Sequence, residues 1–454
     1  TIRRNAMEGA LTGVSVSRAT VPSGINRAFA TTIEDNDFFG NTVDIDVLEG
    51  LGTNTNSNLT FRGNLVDSNQ ELGYGRVSLS SLFTNSNANG SQNWDISGND
   101  IRGSSFNVGF RTPSTVPGAQ SRLNVRDNLQ SARSVNDNST GFRVELYNQE
   151  ADVNIEGNAF ITAGGYTPQV VVDMNNSNTN AQVSVRGNLF DHTGGGSGTG
   201  ALGHSVGGLD AGGSFSGTVE NNVFLFEGDR ANYGLIDVNL FNMQAAATLD
   251  VVHNTIAGTF EYGLEGDGSN AATSTINIVD NVITSSNPQV QPIRDETSVN
   301  GATVAIDNNV VAVATTNRAG DPSNDIIGTP IFVNPIEERL IVVVSDPLNA
   351  EIEVVSGALA VGDFVVLDGE VMEREVLLAF GPTLTLAGSA VAETSGTVVD
   401  ALGWSSQTFV SPAPDYNLAA SSPGFGAARD QGDVGAFGGP EPFVTPMLPP
   451  PPAQ

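Results

Sequence analysis

Glu145, Asp173 and His204 are the side chains in this sequence whose types could do chemistry together. Each belongs to a short alternating run of the kind that forms a strand. Stacking these runs on one another puts Asp46, Ser80, Gly109, Glu145, Asp173, His204, Asn239, Asp267 and Asp295 in one outward column. At strand spacing, Glu145 and Asp173 stand about 5 Å apart, the separation of the two carboxylates in retaining glycosidases. His204 falls one rung further on. Such a column could hydrolyse a glycoside, or eliminate across a uronate whose carboxylate is neutralised by calcium. Elimination of that kind needs a base beside the acids to take the proton. The chain has no Lys, and its placeable Arg residues fall mainly on another face. The same residues also read as a solvated stripe on an acidic protein. That is the reading the composition favours, so no residue is assigned as catalytic.

The chain of 454 residues carries 50 acids against 19 bases, a net charge of -31, and every base is Arg. A surface so negative repels nucleic acid and anionic lipid, so neither is expected as a partner. Without Lys there is no Schiff-base or lysine-base chemistry. Without Cys there are no disulfides, thiolate nucleophiles or cysteine zinc sites. The three histidines, His192, His204 and His253, are far apart in sequence, so no metal site is assigned to them. No apolar run is long enough to span a membrane as a helix, and no membrane insertion is expected. "EDNDFFGN" and "LEGDGSN" offer carboxylates and amides that calcium could use. Neither follows the EF-hand or the Gly-Gly-x-Gly-x-Asp pattern, so calcium is an option and no cofactor is assigned. "GGGSGTG" lacks the Lys-Ser/Thr of a phosphate loop and reads as a flexible connection.

What positions these residues is a repeat. "VNIEGNAFITA" at Val153–Ala163 returns as "VSVRGNLFDHT" thirty residues on. Aligned on the shared Asn, eleven copies fall at Asn5, Asn36, Asn64, Asn99, Asn128, Asn158, Asn188, Asn222, Asn254, Asn281 and Asn309, with gaps of 27 to 35 residues. Three residues before each Asn stands a β-branched or aromatic residue, from Ile2 and Ile33 to Ile306, flanked mostly by polar neighbours. This is the alternation of a strand with one buried face. Two residues after the Asn comes a second inward position, occupied by residues such as Phe38, Phe160, Phe190 and Phe224, with Gln130 its polar exception. In nine of eleven copies the residue just before the Asn is Gly, Asp or Asn, the types that tolerate a left-handed backbone. The strand therefore ends in a sharp corner holding the Asn. Stacked corners would let the amides hydrogen-bond along the array as a ladder. Two residues before the Asn, charge alternates through Arg3, Glu34, Arg62, Arg126, Glu156, Arg186 and Glu220, with Ser97 as a gap and a lapse at Val252 and Val279. Adjacent rungs would then place opposite charges together and fix the register.

Parallel stacking of such units gives an all-β chain. The expected fold is a right-handed parallel β-helix of about eleven coils, roughly 50 Å long at strand spacing. The motif V-x-I-x-G-N-x-F at this period resembles the right-handed parallel β-helix proteins of the pectate-lyase-like superfamily, over about residues 1–315. Two later segments, "GTPIFVNP" and "PDYNLAASSPGFGAARDQGDVGAFGG", resemble the closing segments of the choice-of-anchor Q group of bacterial surface or secreted proteins. The matching positions are Pro330, Phe332, Asp415, Tyr416, Leu418, Ser422, Pro423, Asp433 and Gly435. The Arg that usually ends that pattern is missing. Between the segments, about residues 338–405 read as short strands separated by Gly and Asp turns, a small antiparallel β insertion expected to cap the last coil or face a neighbour.

The expected organisation is a solenoid over 1–325, a cap over 326–440 with the inserted β unit, and a Pro-rich tail over 441–454. The resemblance implies a bacterial extracellular or cell-surface protein. The function expected is structural or adhesive and non-catalytic, with self-assembly into a layer, sheath or filament as a homo-oligomer. The alternative is a carbohydrate-active lyase or hydrolase using the acidic column, with carbohydrate as its partner. A second alternative is a tail-spike-like receptor binder.

Overall fold

In a computed structural model, the residues described are the strands and corners between 1 and 334, short strands between 341 and 400, and residues 415–438 with 443. Most connecting segments, the Gly-rich stretch after His192 and the Pro-rich tail other than Phe443 lie outside them. The chain is all β and winds as a parallel β-solenoid.

Each coil contributes three strands. One coil is Glu150–Glu156, Ala159–Ile161 and Val170–Ser177; the next is Asn180–Arg186, Leu189–His192 and Leu202–Leu209. Like strands stack on like, so three parallel sheets run the length of the solenoid. The first sheet has 11 strands and takes one from each sequence repeat, beginning at Ile2–Arg3 and ending at Thr303–Asp307. The second has 12 short strands and the third 10. Register in the first sheet follows the shared Asn rung by rung: Ile155 pairs with Val125 and with Val185.

The core lies between the sheets. Ile33, Phe61, Ile96, Val125, Ile155, Val185, Val219, Val251, Ile278 and Ile306 form the inward column of the first sheet, all essentially buried. Phe160, Phe190 and Phe224 stack from coil to coil in the second, at centroid distances of 5.2 and 4.5 Å. The stack is a direct result of parallel in-register coiling, which sets identical rings one strand spacing apart. Gln130 is buried in the same column, between Ile101 and Phe160.

All eleven residues preceding the ladder Asn have φ between 53° and 64°, including Arg4 and His253, which are neither Gly, Asp nor Asn. The corner geometry is therefore imposed by the coil, and residue type only sets what it costs. After the last full coil, Ile326–Ile327 adds one more short strand to the second sheet, against Val310–Val311.

Beyond the solenoid, Phe332–Asn334 pairs antiparallel with Asp415–Leu418, so the two segments singled out in the sequence meet. The residues between them include a six-stranded antiparallel sheet formed by strands between Ile341 and Asp400.

Candidate functional site

Among the described residues, organised polar side chains fall in four places: the corner, the outward face of the first sheet, the outward face of the third, and the seam where the C-terminal segment lies.

In the corner, each Asn Nδ2 donates to the Oδ1 of the Asn one coil on, at 2.8–3.0 Å from Asn5 through to Asn309. The same Oδ1 accepts the backbone N–H of the preceding Asn, as Asn188 Oδ1 does from Asn158 N at 2.9 Å. The Nδ2 also reaches carbonyls of its own and the previous coil, as Asn158 does to Glu156 O and Val125 O. From Asn36 onward these amides are buried. The ladder ends at Asp325, whose Oδ1 accepts both Asn309 N and Asn309 Nδ2, at 2.9 and 3.0 Å. The last position needs only an acceptor, and a carboxylate supplies it. Sequence reading missed Asp325 because it follows Asn309 by 16 residues. The available signal was the match of "DII" to "NVV".

The alternating charges sit in register two residues earlier. Arg3 and Arg62 both bind Glu34, the second at 2.7 Å, and Arg186 binds Glu156 at 2.7 Å. The Glu34 side chain is only 5% exposed. Hydrogen bonding from Arg3, reinforced by the charges of Arg3 and Arg62, holds the Glu34 carboxyl below its ordinary range against the opposing effect of burial. For Glu156, burial pushes the carboxyl up, but hydrogen bonds from Asn154 and Arg186 outweigh it and hold it low. Ser97 stands between Arg62 and Arg126, so Arg126 reaches Asp95 instead, at 3.4 Å. Glu220 is in register with Arg186 and Val252. After Val252 and Val279 the column regains charge at Asp307, whose carboxylate is bound by Arg429 from the C-terminal segment.

On the third sheet, the acidic column is only partly assembled. Ser80, Gly109, Glu145 and Asp173 are in register, followed by Ser205, Asn239 and Asp267. His204 is one place out, in register with Val172 and Val238. Asp46 pairs with Ser78 and is two places out, and Asp295 pairs with Gly266 and is one place out. The connections leading into this sheet vary in length, so the sequence alone does not fix the register at these rungs. Arginine is present on this sheet as well as on the first. Arg143 lies on this face with its Nε 3.2 Å from Glu145 Oε1, and Arg294 lies 3.6 Å from the buried Glu265 with its guanidinium over the Tyr262 ring.

The first of the two calcium-like segments engages several of its polar side chains in bonds within the solenoid. In "EDNDFFGN", Glu34 is held by arginines, Asn36 is a ladder rung, and Asn41 bridges Met7 O and Ala10 N. Among the described residues no group of three or more His, Asp or Glu is placed to share a metal ion.

The C-terminal segment runs back along the solenoid against the outward side of the second sheet. Ser422 Oγ accepts Ile331 N, Gly435 N donates to Asp280 O, and Ala436 N donates to Thr255 Oγ1. Leu418, Ala428 and Val434 pack with Val282 and Val310. Ala436 and Phe443 join a cluster with Leu129, Ala159, Leu189 and Val223. This outward column is the residue directly after each ladder Asn, apolar except at Asp37, Asp100 and Thr255, and phrases such as "GNLF" and "NNVF" carry its signal.

Comparison with protein-family models, with curated proteins and with solved structures finds no match to this chain.

Proposed function

We propose that this chain is a non-catalytic extracellular rod of the bacterial surface, structural or adhesive in role, that associates with further copies of itself. The observation that carries this reading is the uninterrupted corner ladder from Asn5 to Asp325, which commits one side chain per coil to bonds along the axis, each a buried amide from Asn36 to Asn309. Side chains used this way hold a rod straight and in register, and do not attack a substrate. The partial assembly of the acidic column points the same way. The motif resemblances to pectate-lyase-like solenoids and to the choice-of-anchor Q group support surface display, and a right-handed winding belongs to the same proposal.

The test is negative-stain microscopy of the purified chain with and without millimolar calcium, alongside mass measurement across concentration. Ordered filaments, sheets or concentration-dependent oligomers support the proposal. A strictly monomeric particle under all conditions overturns the assembly part.

One observation favours a second reading, a carbohydrate-active enzyme: Arg143 stands beside Glu145 on the face where Asp173 is the next rung. Turnover of polysaccharides into reducing or unsaturated ends, abolished in Glu145→Gln, would establish it and overturn the non-catalytic reading.

A further inference from the structure

A second polar surface lies on the first sheet, away from the acidic column. Where five successive strands begin, from Ser91–Ser97 to Ser214–Glu220, their outward side chains line a groove of about 590 Å³, with the buried Gln92, Ser121, Ala151, Ala181 and Phe215 lying between the outward ranks. One rank is Asn93, Arg122, Asp152, Gln182 and Ser216, in register from coil to coil. A second rank, two residues earlier on each strand, includes Glu150 and Asn180. Five strands set about 19 Å of length between the outer rungs at strand spacing.

The chemistry of these ranks selects among occupants. All of their outward side chains are polar, and their amides and hydroxyls offer both donors and acceptors. A protein partner would call for apolar or aromatic anchors at the centre of its footprint, and the ranks present none. Strand addition is closed off too, because the backbone groups of these strands are already paired to neighbours on both sides. Among the described residues that line the groove the one cation, Arg122, is 3.2 Å from Asp152, which leaves Glu150 as the excess charge there. A polyanion would meet repulsion there and from a chain of net charge -31. What fits is a long, uncharged polymer dense in hydroxyl groups.

We propose that this groove binds an unbranched neutral polysaccharide along the solenoid axis. The proposal rests on the adhesive reading above and supplies its ligand class. Contact is through hydrogen bonds from evenly spaced side chains, so affinity builds up with chain length and short oligosaccharides bind weakly.

The test is affinity electrophoresis of the full chain through gels containing neutral glucan, mannan, xylan or galactan, with a polyuronate as the charged comparison. A triple variant, Asn93→Ala with Asn180→Ala and Gln182→Ala, removes exposed side chains only, so circular dichroism should be unchanged. The expected result is retardation by at least one neutral polymer and not by the polyuronate, with the dissociation constant raised about tenfold or more in the triple variant. No retardation by any neutral polymer, or equal retardation of parent and triple variant, overturns the groove. Release of reducing ends during the same runs, with binding still lost in the triple variant, would instead overturn the non-catalytic reading and leave the groove standing.

Discussion

Asn158 is fully buried, and its side chain touches five partners: Val125 O, Glu156 O and Asn188 Oδ1 through Nδ2, and Asn128 N and Nδ2 through Oδ1. Removing it strands donors of Asn128 away from water, the costly case for a hydrogen bond. Asn158→Ala should therefore lower stability by roughly 3–5 kcal/mol. Asn5 makes the same axial bond but stands exposed on the first rung, so Asn5→Ala should cost no more than about 1 kcal/mol. Urea unfolding of the two variants checks the contrast; equal losses would mean that the ladder does not stabilise the interior coils. The Asn positions themselves were legible because eleven copies of one residue type at near-constant spacing leave little else to align. Arg4 and His253 were not legible as left-handed corner residues, since neither type prefers that backbone and only the coil requires it.

Strands of the first sheet are held in register by charge as well as by amides, and Glu34 is the clearest instance. Its carboxylate sits between Arg3 and Arg62 on adjacent strands and titrates below its ordinary range. A carboxyl whose folded pKa is depressed contributes stability that is complete above the unfolded value, about 4.3, and is lost as pH falls through the lower folded value. Glu34→Gln should thus be less stable than the parent at pH 7, with the difference shrinking as pH drops below about 4.3. Thermal melts at a series of pH values check this; a gap that stays constant to pH 2.5 would show that the loss is one of packing. The strand pattern and the charge alternation could be read because both repeat with the Asn. The third-sheet column could not be counted reliably, because the connections leading into it differ from coil to coil and a single missed residue moves His204 off the face.

For the molecule as a whole, the second sheet turns a mostly apolar column outward, and the C-terminal segment covers part of it. A strand with apolar residues on both faces must be covered on both, so this segment takes the place that a packed layer holds in other folds. The sequence showed the inward apolar position two residues after the Asn, but not which distant segment would lie on the outward position beside it, since that contact joins residues more than a hundred positions apart. Its fit depends on backbone coming close to the coil. Gly435 has φ +99°, and a Cβ there would stand 2.8 Å from Thr255 Oγ1 and from Val282 Cγ2. Gly426 also has positive φ, +64°, but nothing within 4 Å of a Cβ. Gly426→Ala therefore adds only backbone strain, of order 1 kcal/mol, whereas Gly435→Ala adds a collision that the coil beneath cannot relieve. The expected outcome is faster amide exchange across 422–438, greater protease sensitivity there and binding of a hydrophobic dye in Gly435→Ala. Gly426→Ala should change little, and in both variants exchange should stay slow in the interior strands around Asn158. If Gly435→Ala opens no further than Gly426→Ala, close seating on Thr255 and Val282 is not what holds the segment, and the ion pair of Arg429 with Asp307 becomes the contact to remove next.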